Sequence, residues 1–386
     1  MKKWIETDPD TGVDIYQLTS SAAGSRTVYG EQPLTDPAGN RTAVLRLGEQ
    51  GTRLVLLDVD TGEEQEVATN VATAWHAWGP RVYYRESDAD GGCRLVALDY
   101  QSLERQVYDL AIKADPSFSH GTVSCDGRYY AVVSGSLEDG GQVHLFDLAS
   151  GGHEVIWEGD NCTVTHAQFS MGAAAADRHE LLLQINEHRN GVKEDIHLIL
   201  VPVPGYTPVR QLGGGTPQTL MCSGHQCWCG DAERVVFSTM YDEQAWGNLW
   251  LASVTDESAR LVCRNHTYFG HVAATRCGRF WIADGHHEPE TPVYAGRLDQ
   301  AKYRRLFNAR TRMKPKSQYG HTHLYATPDN RHIIFTSSRT GHEEVYVAVI
   351  PDYLWECLST ETLQRERRSP VWSGNSAAFK RTAAVG

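Results

Sequence analysis

The chain has 386 residues, 41% hydrophobic and 22% charged, a make-up that supplies a large core and excludes global disorder. Lys and Arg number 36 against 48 Asp and Glu, so the net charge of −12 repels nucleic acid, and an acidic ligand would need local positive charge. No apolar run reaches the ~18 residues of a membrane helix, and Met1-Lys2-Lys3-Trp4-Ile5-Glu6-Thr7-Asp8 has no apolar leader segment; no membrane partner is expected, and the cytoplasm is the expected location.

In chain order, short runs rich in Val, Leu, Tyr and Trp alternate with Asp, Gly and Asn turns, which reads as nearly all β. One kind of run recurs seven times: RLVLLDV (53–59), RLVALDY (94–100), QVHLFDL (142–148), DIHLILV (195–201), NLWLASV (248–254), PVYAGRL (292–298) and EVYVAVI (344–350). The first six are each followed within about ten residues by a further β-like run, whereas the seventh has none. DIYQLTS (14–20), near the N-terminus, is an orphan strand of the same kind. A 40–50-residue period with four strands per unit is the signature of a β-propeller. The expectation is therefore an all-β, seven-bladed propeller over residues 1–350, closed by one N-terminal strand, with a short polar C-terminal extension over 351–386. The nine cysteines, from Cys93 to Cys357, follow no disulfide framework and read as free buried thiols.

Aligning the first run of each unit on its turn brings Gln32, His76, His120, His166, His225, His271 and His323 to one equivalent position. The innermost strand of a blade lines the central channel, so this position would face the axis. The loops expected on the same face carry Arg189, Tyr241, Trp246, His286, His287 and Arg339, a candidate binding cleft.

His321-Thr322-His323 is an H-x-H, and on a strand residues i and i+2 share a face, so both imidazoles could reach one ion. His271 from the neighbouring unit and Gln318 from the preceding loop would complete a neutral ligand set, leaving a divalent ion's charge to attract an anion. Such ligands suit Mn, Fe, Co, Ni or Zn alike. A cluster of Cys222, Cys227 and Cys229 around His225 is the alternative zinc site, but its C-x4-C-x-C spacing matches no common pattern and reads as buried thiols.

The segment SQYGHTHLYATPDNRHIIFTSS (317–338) resembles the corresponding stretch of the bacterial oligogalacturonate lyases, seven-bladed propellers that degrade short pectin fragments in the cytoplasm. The resemblance runs along most of residues 1–350 and is sharpest in the last three units. It implies a Mn ion held by Gln318, His321, His323 and His271, through a Q-x-x-H-x-H pattern and one further His. It also implies a base, His225, in an H-x-x-W-x-x-D segment matched by Trp228 and Asp231. Arg26 and the Asp284-Gly285 pair match as well. Where the family has H-P-x-Y-R, this chain has His166-Ala167-Gln168-Phe169-Ser170, so the His is kept and the Arg is lost; Arg189 or Arg339 would have to substitute.

The implied activity is a lyase that cleaves an acidic, uronate-containing oligosaccharide by β-elimination. Arg26, His166, Arg189, Tyr241 and Arg339 are the expected substrate contacts. The residues also leave open a noncatalytic, TolB-like binding propeller, and a hydrolase in which the ion activates water.

Overall fold

The computed structural model describes residues 1–48, 51–87, 92–113, 120–136, 138–171, 179–230, 233–256, 258–312 and 320–359. Strands β1 (Lys3–Thr7) and β2 (Asp14–Gln17) open the chain. A first four-stranded sheet follows, from β3 (Ser25–Arg26), β4 (Arg41–Arg46), β5 (Arg53–Asp58) and β6 (Glu64–Thr69). Next come β7 (Ala72–Trp75), β8 (Arg81–Ser87), β9 (Gly92–Asp99) and β10 (Arg105–Lys113), then β11 (Gly121–Val123), β12 (Tyr129–Ser136), β13 (Gly140–Asp147) and β14 (Gly152–Gly159). Three further four-stranded sheets hold β15 (Cys162–Phe169) with β16 (His179–Arg189), β17 (Val192–Val203) and β18 (Arg210–Gln211); β19 (Cys222–Trp228) with β20 (Arg234–Asp242), β21 (Gly247–Ser253) and β22 (Ala259–Leu261); and β23 (Phe269–Ala274) with β24 (Phe280–Gly285), β25 (Pro292–Arg297) and β26 (Tyr303–Asn308). The chain continues through β27 (Tyr325–Ala326), β28 (His332–Ser337) and β29 (Glu344–Val349) to one helix, α1 (Asp352–Ser359).

The architecture is an all-β propeller, but the expected seven separate four-stranded blades are corrected by the pairing. Hydrogen bonding gives six sheets. Five are single blades, four of them four-stranded and one five-stranded, and the sixth is an eight-stranded sheet in the order β10-β9-β8-β7-β11-β12-β13-β14. Its joint is parallel, Gly121 opposite Ala74 and Thr122 opposite Trp75. Within its own blade, a Cβ on Gly121 would come within 2.3 Å of the Tyr130 ring of β12, so glycine is needed where β11 enters the sheet. A repeat period marks the runs but not the pairings between them.

Middle strands are buried on both faces and therefore read as continuous apolar runs, as in β12 and β24. Outer strands such as β6 and β14 face water and are polar. The core consists of apolar clusters between neighbouring blades. Hairpins to the outer strands repeat one device, an Asp whose carboxylate accepts backbone N–H groups two and three residues on: Asp58 from Asp60 and Thr61, Asp99 from Gln101 and Ser102, Asp147 from Ala149 and Ser150.

The expected closing strand is β2, paired antiparallel with β29 from Asp14↔Val349 to Gln17↔Tyr346. A single strand was expected, yet β1 adds outside it, so the closing sheet has five. The fully buried Glu344 carboxylate anchors the chain after β2, accepting from the Thr19 hydroxyl and, at 2.6 Å, from the Ser21 N–H. The C-terminal region is not uniformly polar: Leu354 and Leu358 of α1 are buried in the cluster of the closing sheet. Residues 360–386 lie outside the described residues. No described helix is long and apolar enough to cross a membrane.

The β1–β2 turn is clamped to the preceding blade by Arg305, which donates to Asp8 at 2.6 and 3.1 Å and to Asp10 at 2.7 Å. Burial alone would raise the Asp8 carboxyl, but Arg305, the Thr11 hydroxyl and the Asp10 N–H overcome it and hold it below the usual carboxylate range. A depressed carboxyl contributes stability above its unfolded value and loses it as pH falls through the folded value. Asp8→Asn is therefore expected to cost about 2 kcal/mol at pH 7, the scale of hydrogen bonds to a charged group. In urea denaturation the gap to wild type should be full above about pH 4 and narrow below it; a pH-independent gap would contradict the assignment.

Candidate metal centre

Histidines reach the axis because the inner strands break their alternation there. The β15–β16 register shifts between Thr165 and Gln168, and His166, inside the bulge, has a φ of 51°. The β19–β20 register shifts between Cys222 and Gln226, with Gly224 at φ 93° just before His225. In β23 the shift falls between Phe269 and Val272, around His271. A β-bulge re-aims a side chain, and here three successive blades use one for an imidazole. His321 and His323 precede β27 outside regular strand, and His323 has a φ of 40°. The i, i+2 strand argument for that pair is thus corrected: a left-handed loop, not strand alternation, brings the two rings together.

The rings form one cluster. His225 lies 4.4 Å from His271 between centroids, His271 4.8 Å from both His321 and His323, and Tyr29 4.2 Å from His323 and 4.9 Å from His166. His271 Nδ1 donates to the fully buried Asp284 at 2.7 Å, and its backbone N–H donates to the other carboxylate oxygen at 2.9 Å. Burial would raise that carboxyl, but His271, His286 and Thr322 hold it well below the usual range. With Nδ1 committed as donor, His271 Nε2 presents a lone pair, and it faces His321 Nδ1 at 2.9 Å. A Cβ at position 270 would come within 2.6 Å of Asp284 and His286, so Gly270 makes room for this arrangement.

Nitrogens from His271, His321 and His323 lie within 4.8 Å of one another, and His323 Nε2 is buried with no hydrogen-bond partner among the described residues. Neighbouring nitrogens bound at about 2.1 Å to one ion stand roughly 3–3.5 Å apart, and His271 Nε2 and His321 Nδ1, 2.9 Å apart, are close to that spacing. Burial, and then the neighbouring imidazoles, push His225 and His323 well below the ordinary histidine range, and push His286 down to about 4 against the pull of Asp284. Neutral rings are what ligation and proton abstraction both need. Gln318 and Asp231 lie outside the described residues.

The other expected residues separate into two groups. His166 is at the axis, its Nδ1 2.8 Å from Glu31 Oε2, while its Nε2 has no hydrogen-bond partner among the described residues. Arg26 acts electrostatically on His120, His323 and Tyr29 from β3. His120 stacks on Trp75 at 5.6 Å and is pulled down to about 4 by burial and then by His166 and two arginines. The second group is committed elsewhere. Arg339 is buried, pairs with Glu6 at 2.9 Å and donates to the Asn308 and Ala309 carbonyls. Arg189 is at an exposed hairpin tip beside Glu194, and Tyr241 donates its hydroxyl to the Asn265 carbonyl.

Two aligned positions shift. His76 packs on Tyr83, with Nε2 3.4 Å from the Cys125 carbonyl, and its neighbour Trp75 joins the ring cluster instead. Gln32 ties blades together, donating to the Phe169 carbonyl and accepting from Thr122. Sequence reasoning missed Glu31, 2% exposed, with Oε1 unpartnered; its one signal was adjacency to Gln32. Cys222, Cys227 and Cys229 are buried thiols, with burial pushing Cys222 and Cys227 up, as core residues would be.

No family model and no curated protein matches the chain. Among solved structures, an oligogalacturonate lyase in complex with manganese superposes with a TM-score of 0.72 at 16% identity, over 92% of this chain and 98% of that one. An oligogalacturonate lyase from Vibrio parahaemolyticus gives 0.71 at the same identity and coverage. The β-propeller domain of the trilobed protease from Pyrococcus furiosus gives 0.51 at 11% identity, over 86% of this chain and 98% of that one. At such identities the likeness establishes the propeller fold.

Calorimetric titration with Mn should give one site in the wild type. Asp284→Asn, which leaves the three ring ligands in place, should weaken it by about 10–100-fold. An unchanged affinity would remove Asp284 from the support of the centre.

Proposed function

We propose that the chain is a metal-dependent lyase acting on uronate-containing oligosaccharides by β-elimination. The observation that carries this reading is the imidazole of His225 packed 4.4 Å from His271, a residue of the three-histidine cluster. The fold shared with two oligogalacturonate lyases supports it. His271, His321 and His323 would hold the ion, with Gln318 as the proposed fourth ligand. A divalent ion in that position, proposed as manganese, supplies the Lewis acid that neutralises a uronate carboxylate and so acidifies C5.

The chain's own residues then handle protons. His225, kept neutral by burial and surrounding imidazoles, accepts the C5 proton. The C5–H electron pair becomes the C4–C5 double bond, and the C4–O bond breaks with its pair on oxygen. That oxygen takes a proton from the His166–Glu31 pair, passed through His166 Nε2. Glu31, at 2.8 Å from Nδ1, fixes the ring orientation this requires. Arg26 adds the local positive charge that an acidic substrate needs against a net charge of −12.

With Mn and galacturonate oligomers, wild type should generate the near-ultraviolet absorbance of a 4,5-unsaturated uronate. His225→Ala should keep its metal and lose about 10²–10⁴-fold in kcat. Turnover retained in that variant contradicts the base assignment, and a saturated product would indicate hydrolysis instead of elimination.

A further inference from the structure

Rings lead outward from the metal cluster along the β20–β21, β22–β23 and β24–β25 loops. His286 stands 5.3 Å from His271 and 4.8 Å from His287, and His287 stands 5.0 Å from Tyr268. Two residues before Tyr268, His266 packs against Trp246 at 4.8 Å. Exposure rises outward: His286 and Tyr268 are partly buried, His287 and His266 exposed, and the Trp246 indole 53% exposed.

Trp246 is held where it is. Its φ is 59°, a left-handed conformation that a bulky residue rarely adopts. The Asp242 carboxylate accepts from the Gln244 and Ala245 N–H groups, the Trp246 N–H donates to the Asp242 carbonyl, and the Asn265 N–H donates to the Trp246 carbonyl at 2.8 Å. Tyr241, donating to the Asn265 carbonyl, braces the same corner. The same Asp-led hairpin geometry sets Leu103 after Asp99, so the turn itself is structural; what distinguishes Trp246 is an indole left half exposed beside the ring of His266.

We infer that Trp246, His266, Tyr268 and His287 form a track for the sugar residues of an oligosaccharide that lie beyond those at the metal cluster. This rests on the proposed lyase reading. The chemistry is complementary: an indole face packs on the C–H face of a pyranose, while phenol and imidazole edges exchange hydrogen bonds with its hydroxyls. Arg264, exposed, two residues before His266 and without an ion-pair partner among the described residues, supplies positive charge for a uronate carboxylate. Polar-edged rings suit a chain of sugars: the His286–His287–Tyr268 run adjoins His271 of the proposed catalytic cluster, and the Trp246–His266 pair begins two residues before Tyr268.

The test uses the full chain carrying His225→Ala to suppress turnover, loaded with Mn and titrated calorimetrically with galacturonate oligomers of two and of five residues. The longer oligomer is expected to bind more tightly. Adding Trp246→Ala should weaken it about tenfold and close the gap to the shorter one. A gap unaffected by Trp246→Ala, or equal affinities from the start, overturns the track while leaving the uronate reading intact. Failure of both oligomers to bind overturns the uronate reading, and the track with it.

Discussion

Everything at the axis depends on a local failure of strand alternation. A regular inner strand turns successive side chains to opposite faces of its sheet, where a propeller needs them for packing between blades. One bulge in each of β15, β19 and β23 releases His166, His225 and His271 from that duty without unpairing the strands on either side. The left-handed turn at His323 does the same where β27 is too short to bulge. Paired strand on both sides of each bulge fixes where His166, His225 and His271 leave their blades.

Burial and charge complete the arrangement. Burial, and then the crowding of imidazoles, suppresses the protonation of His225 and His323, which keeps their nitrogen lone pairs available at neutral pH. Two buried carboxylates each pair with one ring: Asp284 with His271 and Glu31 with His166. In the proposed mechanism the first pairing would orient a metal ligand, and the second would return the proton that elimination requires. One histidine type is thus given distinct roles by its hydrogen-bond partner alone.

Much of this was legible in the residues. The seven recurrent runs locate β5, β9, β13, β17, β21, β25 and β29, and DIYQLTS locates the closing strand. Pairing was less legible: nothing in the period shows that two inner strands join at Ala74 and Gly121, or that β1 adds outside β2. At the axis, alignment on turns brought His166, His225 and His271 to one position, and bulges recur there in three blades; His120 and His323 aligned with them without a bulge. It failed by one residue at Trp75 and His76, where the turn is shorter. Glu31 carries no pattern, since a buried carboxylate is recognised only by the ring it meets across the channel. Arg339 was expected as a substrate contact in the cleft, whereas its guanidinium donates to Glu6 and to two backbone carbonyls beside the closing sheet.

The central claim is that one bulge-aimed imidazole, His271, and two set by a left-handed loop, His321 and His323, make one metal centre at the axis. Anomalous diffraction at the manganese edge from Mn-soaked crystals tests it most directly. The account predicts a single strong peak within bonding distance of ring nitrogens of His271, His321 and His323. A peak elsewhere, or none at an occupancy that saturates binding in solution, would contradict it.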